Sequence, residues 1–373
     1  MAPTKVLLVQ LFSNGDCLYA TAIAKQIKQD FPGCRLYWAI SPACKSIIAG
    51  NPYVDETLEV SSVAKNDEFA FRKFIKQVNQ DKRLGKWDEV FITHIMGANQ
   101  ANYDGSIRSA IFRGYGRSIT VGATIVLQLT EKEKENARQF AFNHGLSDFR
   151  NVILFEFAPQ SGQSSITHEQ AILISEKLVT RDDTAIILSS SRKITHENSR
   201  IIDGSVLTIR ETAALTHYCS FLIVCSSGIT WLSTSDGAKR LPMAQLLDPY
   251  TKWVNPPSRD FKRFGLDIML IELIDFDIDK AAACVNNAMN DFENARVKYN
   301  QEIPLHFRTT RSIVYNLLCY LEFPAIWKHI RINNQIYGFN LSFYKEAAMG
   351  FMIFPFKLAK NLFVKKILKS NAK

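Results

Sequence analysis

Asp16 is the residue whose type and place best suit it to chemistry. It stands in Ser13-Asn14-Gly15-Asp16, a polar turn after the apolar run Val6 to Val9. Apolar residues at helical spacing follow: Ala20, Ile23, Ala24 and Ile27. A carboxylate there is placed to take a proton from a bound hydroxyl. It is also a preferred helix cap, and the residue alone leaves both roles open. Two further clusters suit an anionic ligand. One is Ala158-Pro159-Gln160-Ser161-Gly162-Gln163-Ser164-Ser165, and the other is Cys225-Ser226-Ser227-Gly228-Ile229-Thr230. Small residues let a backbone approach a ligand, and hydroxyls and N–H groups at a helix start bind phosphate. Such loops are also ordinary connections in α/β domains. Ser189 and Arg192, just past the strand Ala185 to Leu188, add a hydroxyl and a cation. A third cluster, His94, Asn99, Asn102, Tyr103, Asp104 and Arg108, is polar and aromatic. It reads either as a grip for a sugar or phosphate or as a solvated loop.

The elements that must position these residues alternate strand and helix. Val6 to Val9 is a continuous β-branched-rich run, as in a central parallel strand covered on both faces. Phe31-Pro32-Gly33 stops the first helix, and Leu36 to Ile40 is a second strand. Val90 to Thr93 is another strand. Thr130 to His144 reads as a charged helix with a solvated face, and Gly145 to Asn151 as a linker. The pattern restarts with strands at Val152 to Phe155, Ala185 to Leu188, Phe221 to Val224 and Met269 to Ile274. Helices are expected over Thr167 to Lys177, over Glu211 to His217 and from Thr230. This is α/β, with two doubly wound halves of about 150 residues each. Asp16 and both serine-rich loops follow strands, at the edge where open α/β sheets bind ligands. The turn after the first strand holds Gly15 alone. The G-x-G-x-x-G fingerprint is missing there, which argues against an NAD or FAD dehydrogenase.

The 373 residues suggest two domains, and 47% hydrophobic with 22% charged residues is ordinary for a chain that buries real cores. No apolar run reaches the about 18 residues of a membrane span, and the start of the chain reads as lacking a signal peptide. The seven cysteines are scattered, without zinc spacing, and suggest reduced thiols in a cytosol.

The order strand, Gly15-Asp16-x-Leu18-x-Ala20-Thr21, Pro32-Gly33, Trp38, then Gly50-Asn51-Pro52-Tyr53-Val54-Asp55-Glu56 resembles glycosyltransferase family 9. That family contains the bacterial ADP-heptose:lipopolysaccharide heptosyltransferases. The resemblance implies a GT-B fold, two Rossmann-like domains facing a cleft. It divides the chain into an acceptor-side domain (1–148), a nucleotide-sugar donor domain (149–300) and a C-terminal extension (301–373). It implies an inverting, metal-independent transfer with Asp16 as general base and no cofactor beyond the nucleotide sugar. The implied donor site holds Gly162, Gln163, Ser164, Ser165, Ser189, Arg192, Ser226, Ser227, Gly228, Ile229 and Thr230, with Lys239 and Arg240 as further cations. The implied acceptor site holds Asn14, Gly15, His94, Asn99, Tyr103 and Arg108. Ser227-Gly228 fits the family's second-domain signature. Ser226 stands at its acidic position, Trp231 at its histidine position, and Gln163-Ser164-Ser165 where a lysine is usual. These departures point away from ADP-heptose itself. A nucleotide-sugar epimerase of the same build, or an inactive carbohydrate-binding relative, remain as other readings.

Asp275-Phe276-Asp277-Ile278-Asp279 contains the Asp-x-Asp that holds a metal ion in other sugar transferases, but its place before a helix favours capping. Residues 301–373 carry 11 Lys/Arg against 3 Asp/Glu, hence eight of the chain's nine net positive charges. With their many aromatics, they suit an anionic membrane surface rather than nucleic acid, or a helical appendage packed on the domains. The expected location is cytoplasmic, at the inner face of the cell membrane, where a glycan or glycolipid acceptor would be met.

Overall fold

The computed structural model describes residues 3–157, 164–248 and 256–370. Its strands form two sheets in which every pairing is parallel. The first holds β1 (Lys5–Val9), β2 (Arg35–Ile40), β3 (Glu56–Glu59) and β4 (Glu89–Ile92) in the order β3-β2-β1-β4. The second holds β5 (Asn151–Glu156), β6 (Thr184–Ser189), β7 (Ile201–Asp203), β8 (Phe221–Val224), β9 (Met243–Leu246) and β10 (Leu270–Leu273). Its order, β7-β6-β5-β8-β9-β10, is that of the doubly wound nucleotide-binding sheet. In both sheets the winding reverses beside the first strand, between β1 and β4 and between β5 and β8. Crevices open at such reversals, beyond the carboxyl ends of the strands. β5 and β6 are buried at every position, as strands covered on both faces must be.

α1 (Asn14–Asp30) begins six residues earlier than its apolar spacing suggests. It is buried at consecutive positions from Cys17 to Ala24 because protein surrounds it, so a one-sided stripe would underestimate it. α2 (Glu68–Arg83) and α3 (Ile107–Tyr115) complete the first half. α4 (Glu131–Asn143) is capped by Thr130 and Glu133. Its charged face is largely exposed, as expected, with Glu131, Lys132, Lys134 and Glu135 in solvent, while Glu133 is claimed by another element. Glu133 receives Arg210 at 2.6 Å, and Ala137, Phe140 and Ala141 are buried. Those contacts set α4 against α6 (Ile209–Leu215) of the second half. The second half also holds α5 (His168–Leu178), α7 (Gly228–Leu232), α8 (Pro257–Arg263), α9 (Ile278–Asn290) and α10 (Phe292–Tyr299).

The halves share one continuous core, into which β1, β2, β5, β6 and β8 all feed side chains. The chain then returns to the first half as α11 (Arg308–Cys319), α12 (Phe323–Tyr337) and α13 (Leu341–Ser370), with side chains of α13 described through Pro355. Ile313, Val314, Leu317, Ala325 and Ile326 pack on Ala101, Tyr103 and Ala110. Over these residues the extension is therefore an appendage docked on the first half.

Two buried carboxylates lock α8 of the second half to α3 of the first. Asp104 takes Arg113 at 2.8 Å and Arg263 at 2.5 Å. Asp260 accepts Ser106 Oγ at 2.7 Å and lies 3.2 Å from Arg108 Nε. That last pair is in charge contact but poorly aligned as a hydrogen bond. Removing one partner of a buried pair strands the other charge in a poor solvent. Asp260→Ala is therefore expected to cost about 3–5 kcal/mol of unfolding free energy. An unchanged urea midpoint would contradict the lock.

Candidate active site

Ser13, not Asp16, is the cap of α1, and it sits at φ +68° with no side-chain hydrogen bond to the helix. Asp16 is the third helical residue. Among the described residues its carboxylate has no hydrogen bond or ion pair, so the capping role is not the one it performs. A carboxylate in a first turn is favoured by the helix dipole. Burial outweighs that here. Loss of water pushes the Asp16 carboxyl from its ordinary 3.8 up to about 7; the nearby Cys44 sulfur adds to the rise and Lys65 opposes it. The residue still keeps part of its surface accessible. It is thus an unclaimed carboxyl that changes charge near neutrality, the property a general base needs.

The turn after β8 has the same build. Ser226 is at φ +54°, a left-handed conformation costly for a residue with a Cβ. Its N–H donates to Gln245 Oε1 at 2.9 Å, while its buried Oγ has no partner among the described residues. Ser227 caps α7, accepting from Ile229 N at 3.1 Å, and Thr230 Oγ1 receives Ser227 N at 3.2 Å. Backbone strain held by surrounding contacts is characteristic of functional turns. Ser13 and Ser226 each stand between a helix and a strand that borders the reversal of its own sheet, β1 in the first and β8 in the second.

These turns meet. A Cβ on Gly15 would lie 3.3 Å from the Trp231 ring, and one on Gly228 would lie 3.8 Å from Asn14 Cβ. α1 and α7 thus start face to face; the approach is tight at Gly15, while a Cβ at Gly228 would make only ordinary contact. Tyr19 and Trp231 pack behind them with centroids 5.2 Å apart. The structure therefore brings Asn14, Gly15 and Asp16 together with Ser226, Ser227, Gly228 and Ile229.

The remaining donor-side residues lie at the ends of the neighbouring strands β5 and β6. Ser165 is exposed, and Ser164 Oγ accepts Ile166 N at 3.4 Å. Gly162 and Gln163 lie outside the described residues. Ser189 ends β6, and Arg192 is exposed on a turn closed by Ser190 Oγ. Lys239 is occupied in the scaffold, donating to Cys219 O at 3.0 Å.

The other acceptor candidates do not line this junction. His94 is buried between Phe12 and Phe71, accepts from Gln10 Nε2 at 3.2 Å, and is held neutral by burial, its pKa lowered to about 4. Asn99 staples its own loop through Ile92 O at 2.6 Å. Tyr103 is buried under α12, whose Asn333 reaches its carbonyl. Arg108 is wholly buried, its guanidinium 4.5 Å from the Tyr19 centroid, 5.2 Å from Phe264 and 5.9 Å from Trp231. These four residues hold elements in place. Asp277 caps α9 through Lys280 N at 2.7 Å, and Asp279 pairs with Lys177, so that Asp-x-Asp is a helix start. Cys44 and Lys65, which set the field at Asp16, went unnoticed in the sequence. Cys44 lies in the short 3-10 helix after β2 and Lys65 in the loop after β3, and that shared sheet edge was the available signal.

No family's sequence profile and no curated protein sequence matches the chain. Solved structures do match its fold. A glycosyl transferase family 9 protein from Veillonella parvula DSM 2008 superposes with TM-score 0.54 at 15% identity, covering 79% of this chain and 96% of that one. The E. coli ADP-heptose LPS heptosyltransferase II superposes with TM-score 0.53 at 13% identity, covering 78% of this chain and 100% of that one. The fold is therefore the GT-B arrangement, and the expected likeness to family 9 holds at the level of structure.

The environment of Asp16 has a consequence for stability. Its pKa is raised on folding, so its contribution is full below about 4 and is lost as pH rises through about 7. Above that, the folded state carries a poorly solvated charge. Asp16→Asn should gain about 1–2 kcal/mol over wild type at pH 8.5 and nothing at about pH 3, below both the unfolded and the folded pKa. Equal stabilities at both pH values would contradict the burial of this carboxyl.

Proposed function

We propose that the protein is a glycosyltransferase that moves a sugar from a nucleoside-diphosphate donor to a hydroxyl of a cell-surface glycan or glycolipid, of the lipopolysaccharide class. The observation that carries this reading is the unpaired Asp16 carboxyl, titrating near neutrality where the reversal points of two doubly wound sheets meet. The GT-B fold supports it.

In the proposed reaction the acceptor oxygen attacks the anomeric carbon, and its proton passes to Asp16. The bond from that carbon to the diphosphate oxygen breaks, and its electron pair leaves with the nucleoside diphosphate. One displacement inverts the anomeric centre. Asn14 and Gly15 border the acceptor oxygen. Ser226, Ser227, Gly228, Ile229 and Thr230, with Ser164, Ser165 and Ser189, offer hydroxyls and N–H groups to the diphosphate, and Arg192 offers a positive charge. The serine at 226 and tryptophan at 231 favour a nucleotide sugar other than ADP-heptose. The proposed transfer proceeds without a metal ion and persists in EDTA, since Asp277 already serves as a cap. A lipid-carried acceptor would place the protein at the cytoplasmic face of a membrane.

Transfer assayed over a panel of nucleotide sugars tests this reading. A positioned general base typically contributes ~10²–10⁴-fold, and Asp16→Asn should lose that much in kcat while still binding nucleoside diphosphate. Because the base acts deprotonated, wild-type kcat/KM should climb with pH and level off above about 7. Wild-type turnover by Asp16→Asn, or a profile flat from acid to neutral pH, would sink the assignment.

A further inference from the structure

Among the described residues sixteen large apolar side chains stand exposed, and eight of them fall between Tyr320 and Met352. That concentration marks a surface rather than scattered exposure. Its sharpest part is the corner between α11 and α12. Leu321 sits there at φ +58° and 69% exposed. A turn needing only that backbone would use Gly or Asn, whose strain is lower. An exposed leucine held in it calls for something outside the chain for the side chain to touch. Contacts beneath keep it there: Arg72 lies 3.9 Å over the Tyr320 ring and pairs with Glu322 at 2.8 Å.

The corner continues along α12. Phe323, Trp327 and Arg331 follow at intervals of four, so they share one face, with Lys328 beside Trp327. Phe323 is 52% and Trp327 72% exposed. Lys328 and Arg331 are exposed as well and have no carboxylate partner among the described residues. Glu322, the acid of the corner, is already taken by Arg72. Aromatic and aliphatic side chains beside free cations are the composition of a surface that enters a bilayer interface. Among the described residues no helix is long and apolar enough to cross a membrane.

We propose that this corner docks on an anionic lipid surface, with Leu321, Phe323 and Trp327 entering the interface and Lys328 and Arg331 meeting headgroup phosphates. Charge selects the occupant. Residues 301–373 hold eight of the chain's nine net positive charges, which attract an anionic bilayer and oppose a second copy of the same face. The proposal rests on exposure and charge and stands apart from the transferase reading.

Co-sedimentation of the full chain with phosphatidylcholine vesicles, with and without phosphatidylglycerol, tests it. Wild type should bind the vesicles containing phosphatidylglycerol and release at high salt. Leu321→Gly relieves the left-handed strain, so it should melt no lower than wild type yet partition about tenfold more weakly. Trp327→Ser should weaken partition similarly. Three results would overturn the proposal: no binding by wild type, undiminished binding by both variants, or a wild-type dimer by light scattering that the variants dissolve while vesicle binding stays unchanged.

Discussion

The junction of the two halves depends on one buried cation. Arg108 leaves α3 and lies on the ring of Tyr19 from α1, near Trp231 from α7 and Phe264 after α8, with Asp260 of α8 as its counter-ion. A desolvated cation over aromatic faces gains about 2 kcal/mol, and several rings surround this one. Every element carrying a residue of the junction is thereby tied to the same guanidinium. Burying it is costly, and burial pushes the Asp260 carboxyl up even though Arg108 opposes the rise. The return is positional: α1 and α7 can start against each other only while Tyr19 and Trp231 are held behind them.

That packing also accounts for the chemistry of Asp16. The N-terminal turn of a helix ordinarily keeps a carboxylate ionised. Here the turn is pressed against the second half, water is displaced, and the proton is retained to near-neutral pH. The strain at Ser13 and at Ser226 belongs to the same arrangement, since each turn bends sharply to bring its helix start to the meeting point. A poorly solvated acid and two strained serines lower stability where a reaction would need them, a common bargain at functional sites.

Much of this was legible in the sequence, because it is local. The apolar run Val6 to Val9, the polar turn and the helical spacing after it announce β1, Asp16 and α1. The second-domain turn Ser226-Ser227-Gly228 is announced in the same way. What the sequence hides is non-local. Arg108 beside Tyr103 and His94 reads as a polar grip, since nothing near it reveals that Tyr19, Trp231 and Phe264 will close over it. The solvated face expected for α4 is present, but nothing near Glu133 reveals that Arg210, distant in sequence, will claim it. β3 (Glu56-Thr57-Leu58-Glu59) and β9 (Met243-Ala244-Gln245-Leu246) interrupt their apolar residues with polar ones, and β7 has only three residues. These strands are recognised by their neighbours in the sheet, whereas the equally short but apolar β8 is legible.

The central claim is that Asp16 keeps its proton until near neutrality, and its own titration tests this most directly. Carboxyl carbon resonances of labelled aspartate, followed across pH and assigned with Asp16→Asn, would report it. The account predicts a midpoint of about 7 for the Asp16 signal. A midpoint near the ordinary 3.8 would contradict it, leaving a solvated carboxylate in a helix turn and no base at the junction.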